Sequence, residues 1–98
     1  MEPIRLTDLA RALPRAWNSQ VLARFGDANL KLLRMDAAAY PEECHDYAEG
    51  LLVLDGEMLL AVDGQQQRVG TGELCVVPAG VRHAVLPGSR GTLLILDT

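Results

Sequence analysis

The chain carries only two histidines, His45 and His83, and two cysteines, Cys44 and Cys75, so metal or nucleophile chemistry has few side chains to build on. One of each sits in Glu42-Glu43-Cys44-His45-Asp46-Tyr47-Ala48-Glu49, among four acidic residues. Such an acid cluster can attract a cation, although most are solvated loops. Cys44 beside His45 has the surroundings of an activated thiol, a soft metal ligand or a substrate contact; a loop cysteine without chemistry is the simpler reading. Arg82, next to His83, can hold a substrate carboxylate, though strand alternation turns it away from the face of His83. Tyr47 and Tyr40 can line a pocket. Cys75, within Leu74-Cys75-Val76-Val77, reads as core. Trp17 reads as an anchor for the N-terminal segment.

These residues lie among short strands. Leu6, Leu9, Ala10 and Leu13 fall at helical spacing, with Thr7 as the predicted N-cap and Pro14 as the stop. Strands are then predicted at Val21–Phe25, Leu30–Met35, Gly50–Leu54, Glu57–Val62, Gln66–Val69, Glu73–Val77, Arg82–Leu86 and Thr92–Asp97. Asp55-Gly56 and Asp63-Gly64 are hairpin signals, because Gly accepts the positive φ of a tight turn. No connection is long enough for parallel crossovers, so the pattern predicts an antiparallel sandwich or barrel. Leu51–Leu54, Leu74–Val77 and Leu93–Leu96 are apolar at nearly every position, which asks for cover on both faces. That cover is either a second subunit, making a homodimer, or the N-terminal arm alone.

Composition excludes several classes. With 98 residues the chain fits one domain, read as an arm over 1–19 and a barrel over 20–98. A net charge of -4 with no run of basic residues argues against a nucleic-acid partner. The apolar stretches are far shorter than the ~20 residues a membrane helix needs. Met1-Glu2-Pro3-Ile4-Arg5 lacks the order of an export signal, and two cysteines suit free thiols, so a cytoplasmic location is expected.

Two segments line up into a larger pattern. Glu49 and Gly56 stand as E-x6-G, and Gly72, Pro78, Gly80 and His83 stand as G-x5-P-x-G-x2-H. Together they resemble the two motifs of the cupin superfamily, G-x5-H-x-H-x3–4-E-x6-G and G-x5-P-x-G-x2-H-x3-N. The resemblance covers roughly residues 43–83. It implies an all-β fold, a small antiparallel double-stranded β-helix or jelly-roll barrel, preceded here by the short helix. The chain departs from the pattern at three places. The leading Gly of the first motif is absent, Pro87 stands where the second motif ends in Asn, and the first motif's pair of histidines is reduced to one.

The resemblance implies a ligand set at the barrel mouth. With a three-residue spacer before Glu49, His45 is a ligand and Glu43 replaces the missing His; with four, Cys44 and Glu42 take those places. The first register keeps a good ligand where the family has one. His45, Glu49 and His83, with Glu43 as a fourth, then suit a divalent transition metal (Fe, Mn, Ni, Cu or Zn) with open positions for a small-molecule ligand. Family activities include dioxygenation, isomerisation and decarboxylation. The alternative is a metal-free, non-catalytic cupin that binds a small ligand or plays a structural part.

Overall fold

Strands that are apolar on both sides must be covered on both sides, and the computed structural model, which describes residues 1–98, shows how. Helix α1 (Leu6–Ala12) is followed by eight strands: β1 (Gln20–Phe25), β2 (Ala28–Asp36), β3 (Tyr40–Glu43), β4 (Glu49–Val62), β5 (Gln65–Gly70), β6 (Leu74–Val77), β7 (His83–Val85) and β8 (Arg90–Asp97). All pairings are antiparallel, in the order β1-β2-β8-β4-β7-β3, with β5 and β6 also paired to β4. The sheet curls so that one face becomes an interior.

Alternation divides the aliphatic residues between two cores. Leu33, Met35, Leu51, Val53, Met58, Leu60, Val69, Val77 and Leu93 fill the interior. Their neighbours along the strands, Leu32, Leu52, Leu54 and Leu94, point outward, where Leu6, Leu9, Ala10 and Leu13 of the arm cover them. The arm is therefore the cover for this part of the outer face. It does not reach Leu74, Val76 and Leu96, which are 56%, 59% and 42% exposed around Gly50.

Two local expectations are corrected. The helix begins one residue before Thr7, with Arg5 at the N-cap and no side-chain cap; Leu9 N–H donates to the Arg5 carbonyl, so Thr7 already lies in the first turn. The hairpin predicted at Asp55-Gly56 does not form. β4 runs through it for 14 residues, because β8 lies alongside and pairs Gly56 with Gly91 across a register shift after Val53. Both glycines have positive φ (85° and 112°), and a Cβ on either would overlap the opposing backbone. The turn-forming Gly is thus used in a β-bulge that bends one long strand. Asp63-Gly64 does form its turn and joins β4 to β5.

The other six predicted strands are present within two residues of their expected ends. β3, containing Pro41, was not foreseen; it is a sheet edge paired only to β7, where a missing N–H is tolerated. Cys44 and Cys75 are free thiols. No helix is long and apolar enough to cross a membrane.

The crossing of Gly56 and Gly91 yields a direct test. Gly91→Ala should cost roughly 2–4 kcal/mol, from strained φ and overlap with the Asp55 carbonyl. Gly64→Ala, at a φ of 81° but with open space around it, should cost about 1–2 kcal/mol. Urea denaturation compares them; equal losses would show that the opposing strands yield at the bulge.

Candidate metal centre

The open end of the interior is polar, and three neighbouring segments build it. β3 and β7 pair so that Glu43 faces His83. β4 opens with Glu49, opposite Val77 of β6. His45 lies in the loop between β3 and β4, and its carbonyl accepts a 2.7 Å hydrogen bond from Gly80 N–H. That bond ties the Pro78-Ala79-Gly80 turn of one motif to the histidine of the other. Gly80 has a φ of 79°, which the turn requires and Gly supplies without strain.

Glu43, His45, Glu49 and His83 each offer a donor atom, all within 4.8 Å of one another. His83 Nε2 is 3.1 Å from Glu49 Oε1 and 4.0 Å from Glu43 Oε2. His45 Nε2 is 3.1 Å from Glu43 Oε2 and 4.0 Å from Glu49 Oε2. Donors bound at ~2.0–2.2 Å to one ion lie roughly 2.8–3.1 Å apart when adjacent at right angles and about 4.0–4.4 Å when opposite. The two shorter separations lie near the first range and the two longer ones near the second, with Glu49 offering a different oxygen to each imidazole.

The electrostatics point the same way. His83 and Glu49 are buried, at 5% and 8% exposure. His83 Nδ1 is 3.1 Å from the Val81 carbonyl, which can only accept, so Nδ1 carries a proton and Nε2 is the nitrogen turned to Glu49. A lone pair there would meet a carboxylate head-on. A proton or a metal ion between them satisfies both. Backbone fixation of the far nitrogen is also what orients a ligating imidazole.

Aromatic rings complete the walls. His45 stacks on Tyr47, with centroids 4.7 Å apart, and meets His83 edge-on at 5.5 Å. Tyr40 packs against Trp17. Burial pushes both phenols above their ordinary pKa, aided by Glu43 at Tyr40 and Asp97 at Tyr47. The cavity is about 170 Å³, and its lining includes all four candidate ligands with Tyr40, Tyr47, Trp17 and Lys31.

The sequence-derived candidates therefore divide. Glu43, His45, Glu49, His83 and Tyr47 converge. Cys44 is exposed and outside the cavity lining, as is Arg82, whose guanidinium is 4.0 Å from Glu42 at the surface. Glu43 and His45 meet through the loop rather than by alternation along one strand, since β3 ends at Glu43. Trp17 is an anchor, with its backbone N–H donating to the Arg34 carbonyl and its indole N–H to Asp36 Oδ1, and a cavity wall as well. Cys75 packs against the core from a half-buried position, and burial raises its pKa.

One group was missed. Lys31 Nζ is 2.7 Å from Asp97 Oδ2, while Asn29 Nδ2 donates to Asp97 Oδ1 at 3.0 Å. Lys31 shares the inward face of Leu33 and Met35, which alternation along β2 would have revealed.

Comparison with known proteins agrees with this architecture. Residues 32–97 match the cupin domain family, and the chain belongs to it. It is 38% identical over 61 residues to quercetin 2,3-dioxygenase of Bacillus subtilis, a match spanning 61% of this chain and 18% of that enzyme. A cupin-2 domain protein from Shewanella frigidimarina superimposes with a TM-score of 0.85 at 24% identity, over 95% of this chain and 91% of that one. Protein NMB1881 from Neisseria meningitidis superimposes with a TM-score of 0.83 at 24% identity, over 98% of both chains. At these identities the structural matches establish the fold alone.

The Lys31–Asp97 pair has a pH signature. The Asp97 hydrogen bond raises the Lys31 pKa above 10.5 against the opposing effect of burial. A group raised on folding contributes stability fully below its unfolded pKa and loses it as pH rises through the folded value. Denaturation midpoints of the wild type should therefore fall more steeply above about pH 10.5 than those of Lys31→Met. Because Lys31 itself lowers the Tyr47 pKa, both are compared in a Tyr47→Phe background, where parallel curves would remove the pair from the account.

Proposed function

We propose that this chain is a single cupin domain, arm 1–19 and barrel 20–98, that binds a divalent transition metal at the barrel mouth. His45, Glu49, His83 and Glu43 are the ligands, and a small molecule takes the remaining positions. The observation that carries this reading is the convergence of two imidazole nitrogens and two carboxylate oxygens, with His83 Nε2 aimed at Glu49 by the Val81 carbonyl. Two carboxylates balance a divalent charge, and the mixed nitrogen and oxygen set suits Fe, Mn, Ni, Cu or Zn. When bound, such a metal supplies Lewis acidity or a site for dioxygen chemistry. Likeness to part of quercetin 2,3-dioxygenase supports a metal-dependent enzyme as the finer reading.

Within that reading the chain's own residues have distinct tasks. Val81 holds the imidazole of His83 in one tautomer, and the Gly80 hydrogen bond sets the loop that carries His45. Tyr47 supports the His45 ring by stacking. The aliphatic floor of Leu33, Leu51 and Leu93 limits water beneath the site.

A metal-free ligand-binding cupin is the second reading. It is favoured by the two 3.1 Å contacts, His83 to Glu49 and His45 to Glu43, which protons alone can close as ion pairs. Metal analysis of tag-free protein separates the two. About one metal per chain is expected, and loading should raise the denaturation midpoint. His83→Ala should weaken binding by more than about 100-fold, while Cys44→Ser leaves it unchanged. Substoichiometric metal unaffected by His83→Ala would establish the metal-free reading.

The homodimer is proposed through the uncovered apolar face of Leu74, Val76 and Leu96. Light scattering should give twice the chain mass for the wild type and the chain mass for Val76→Asp. A monomeric wild type would refute it.

A further inference from the structure

Lys31 is the only lysine or arginine among the 16 residues lining the cavity. It projects from the inner face of β2, which is separated from β4 and Glu49 by β8 alone. Two strand spacings put the backbones of Lys31 and Leu51 about 10 Å apart, and Glu49 lies two residues further along β4 on the same face. Asp97 already receives Asn29 on one oxygen and Lys31 on the other. An ammonium has three N–H donors, so Lys31 retains two beyond the one given to Asp97. Ile95 of β8 lies between Lys31 and Leu51 in the sheet, and with Leu33 and Leu93 these residues give the cavity an aliphatic lining. A cavity of about 170 Å³ is smaller than the pockets that hold drug-sized ligands.

We propose that Lys31 is a specificity-determining residue that binds a carboxylate of the substrate. The substrate class is a short aliphatic acid with a chelating oxygen pair at one end and a second carboxylate at the other. The chelating end rests on the metal-centre reading above; the carboxylate end rests on Lys31 alone. The chain of two or three carbons between them lies along the aliphatic wall. Asp97 and Asn29 are positioning residues: they hold the ammonium toward the cavity, and Asp97 favours its charged form. A distal carboxylate gains a charge-assisted hydrogen bond that an otherwise identical methyl-ended acid lacks.

The test compares two probes, 2-hydroxyglutarate and 2-hydroxyvalerate, which share the chelating end and differ in the distal carboxylate. Each is titrated calorimetrically into Mn(II)-loaded and metal-free protein. The wild type should bind 2-hydroxyglutarate about tenfold or more tighter. Lys31→Met should reduce that preference to less than about twofold, with 2-hydroxyvalerate affinity and metal content unchanged. Because this substitution strands the buried Asp97 carboxylate, Lys31→Met/Asp97→Asn is measured too and should behave alike. Lys31→Arg should keep the preference.

Equal binding of the two acids by the wild type, no binding of either, or a preference that survives in both Lys31→Met variants would overturn the proposal. The two readings fail separately. A chain that takes up no metal yet shows a Lys31-dependent preference overturns the metal centre and supports the carboxylate site. A chain that binds metal but not the distal carboxylate does the reverse.

Discussion

Two buried acceptors facing each other are unstable without a cation between them, and the mouth of this barrel is organised around that fact. His83 Nε2 is turned toward Glu49 because the other ring nitrogen is held by the Val81 carbonyl. Glu43 and His45, half-buried, bring a second carboxylate and imidazole to the same point. Leaving charged groups unpaired at this depth would cost several kcal/mol. A proton or a metal ion between His83 and Glu49 relieves that cost, and the surrounding contacts restrict where the positive charge can sit.

The scaffold supports this arrangement by concentrating regular structure in β4. That strand pairs with β5, β6, β7 and β8, carries Glu49 at one end and contributes Leu51, Val53, Met58 and Leu60 to the interior. A strand so long must bend to remain on a closed surface, and the opposed glycines at 56 and 91 allow it. The apolar floor below the polar mouth lowers the local dielectric, which strengthens each interaction above it. The same bend carries β4 from contact with β6 to contact with β5.

Much of this was readable from residue order. Leu51-Leu52-Val53-Leu54 and Leu93–Leu96 announced strands covered on both faces, and the helical spacing of Leu6, Leu9, Ala10 and Leu13 announced a candidate cover. Gly80 and His83 stood at motif spacing, and their turn and strand are present. The failures have physical causes. Asp55-Gly56 has the chemistry of a turn, but positive φ serves a bulge equally well, and only the presence of β8 decides between them. β3 lacks a strand composition because an edge strand needs few of its own hydrogen bonds. Lys31 carries a charge that ordinarily faces solvent, whereas Asp97, distant in sequence and held by Asn29, gives it a partner inside.

By itself, the sequence determined the strand texture, the two motif segments and the scarcity of imidazole, all of which depend on local patterning and spacing. Tertiary structure alone decided which of Cys44 and His45 turns toward the cluster. The two are adjacent, so neither composition nor spacing separates them. The Gly80 hydrogen bond to the His45 carbonyl and the stack on Tyr47 set the loop so that the imidazole enters the cluster and the thiol stays at the surface. Alternation along β2 puts Lys31 on the inward face, but its ion pair with Asp97 depends on β8 lying beside β2.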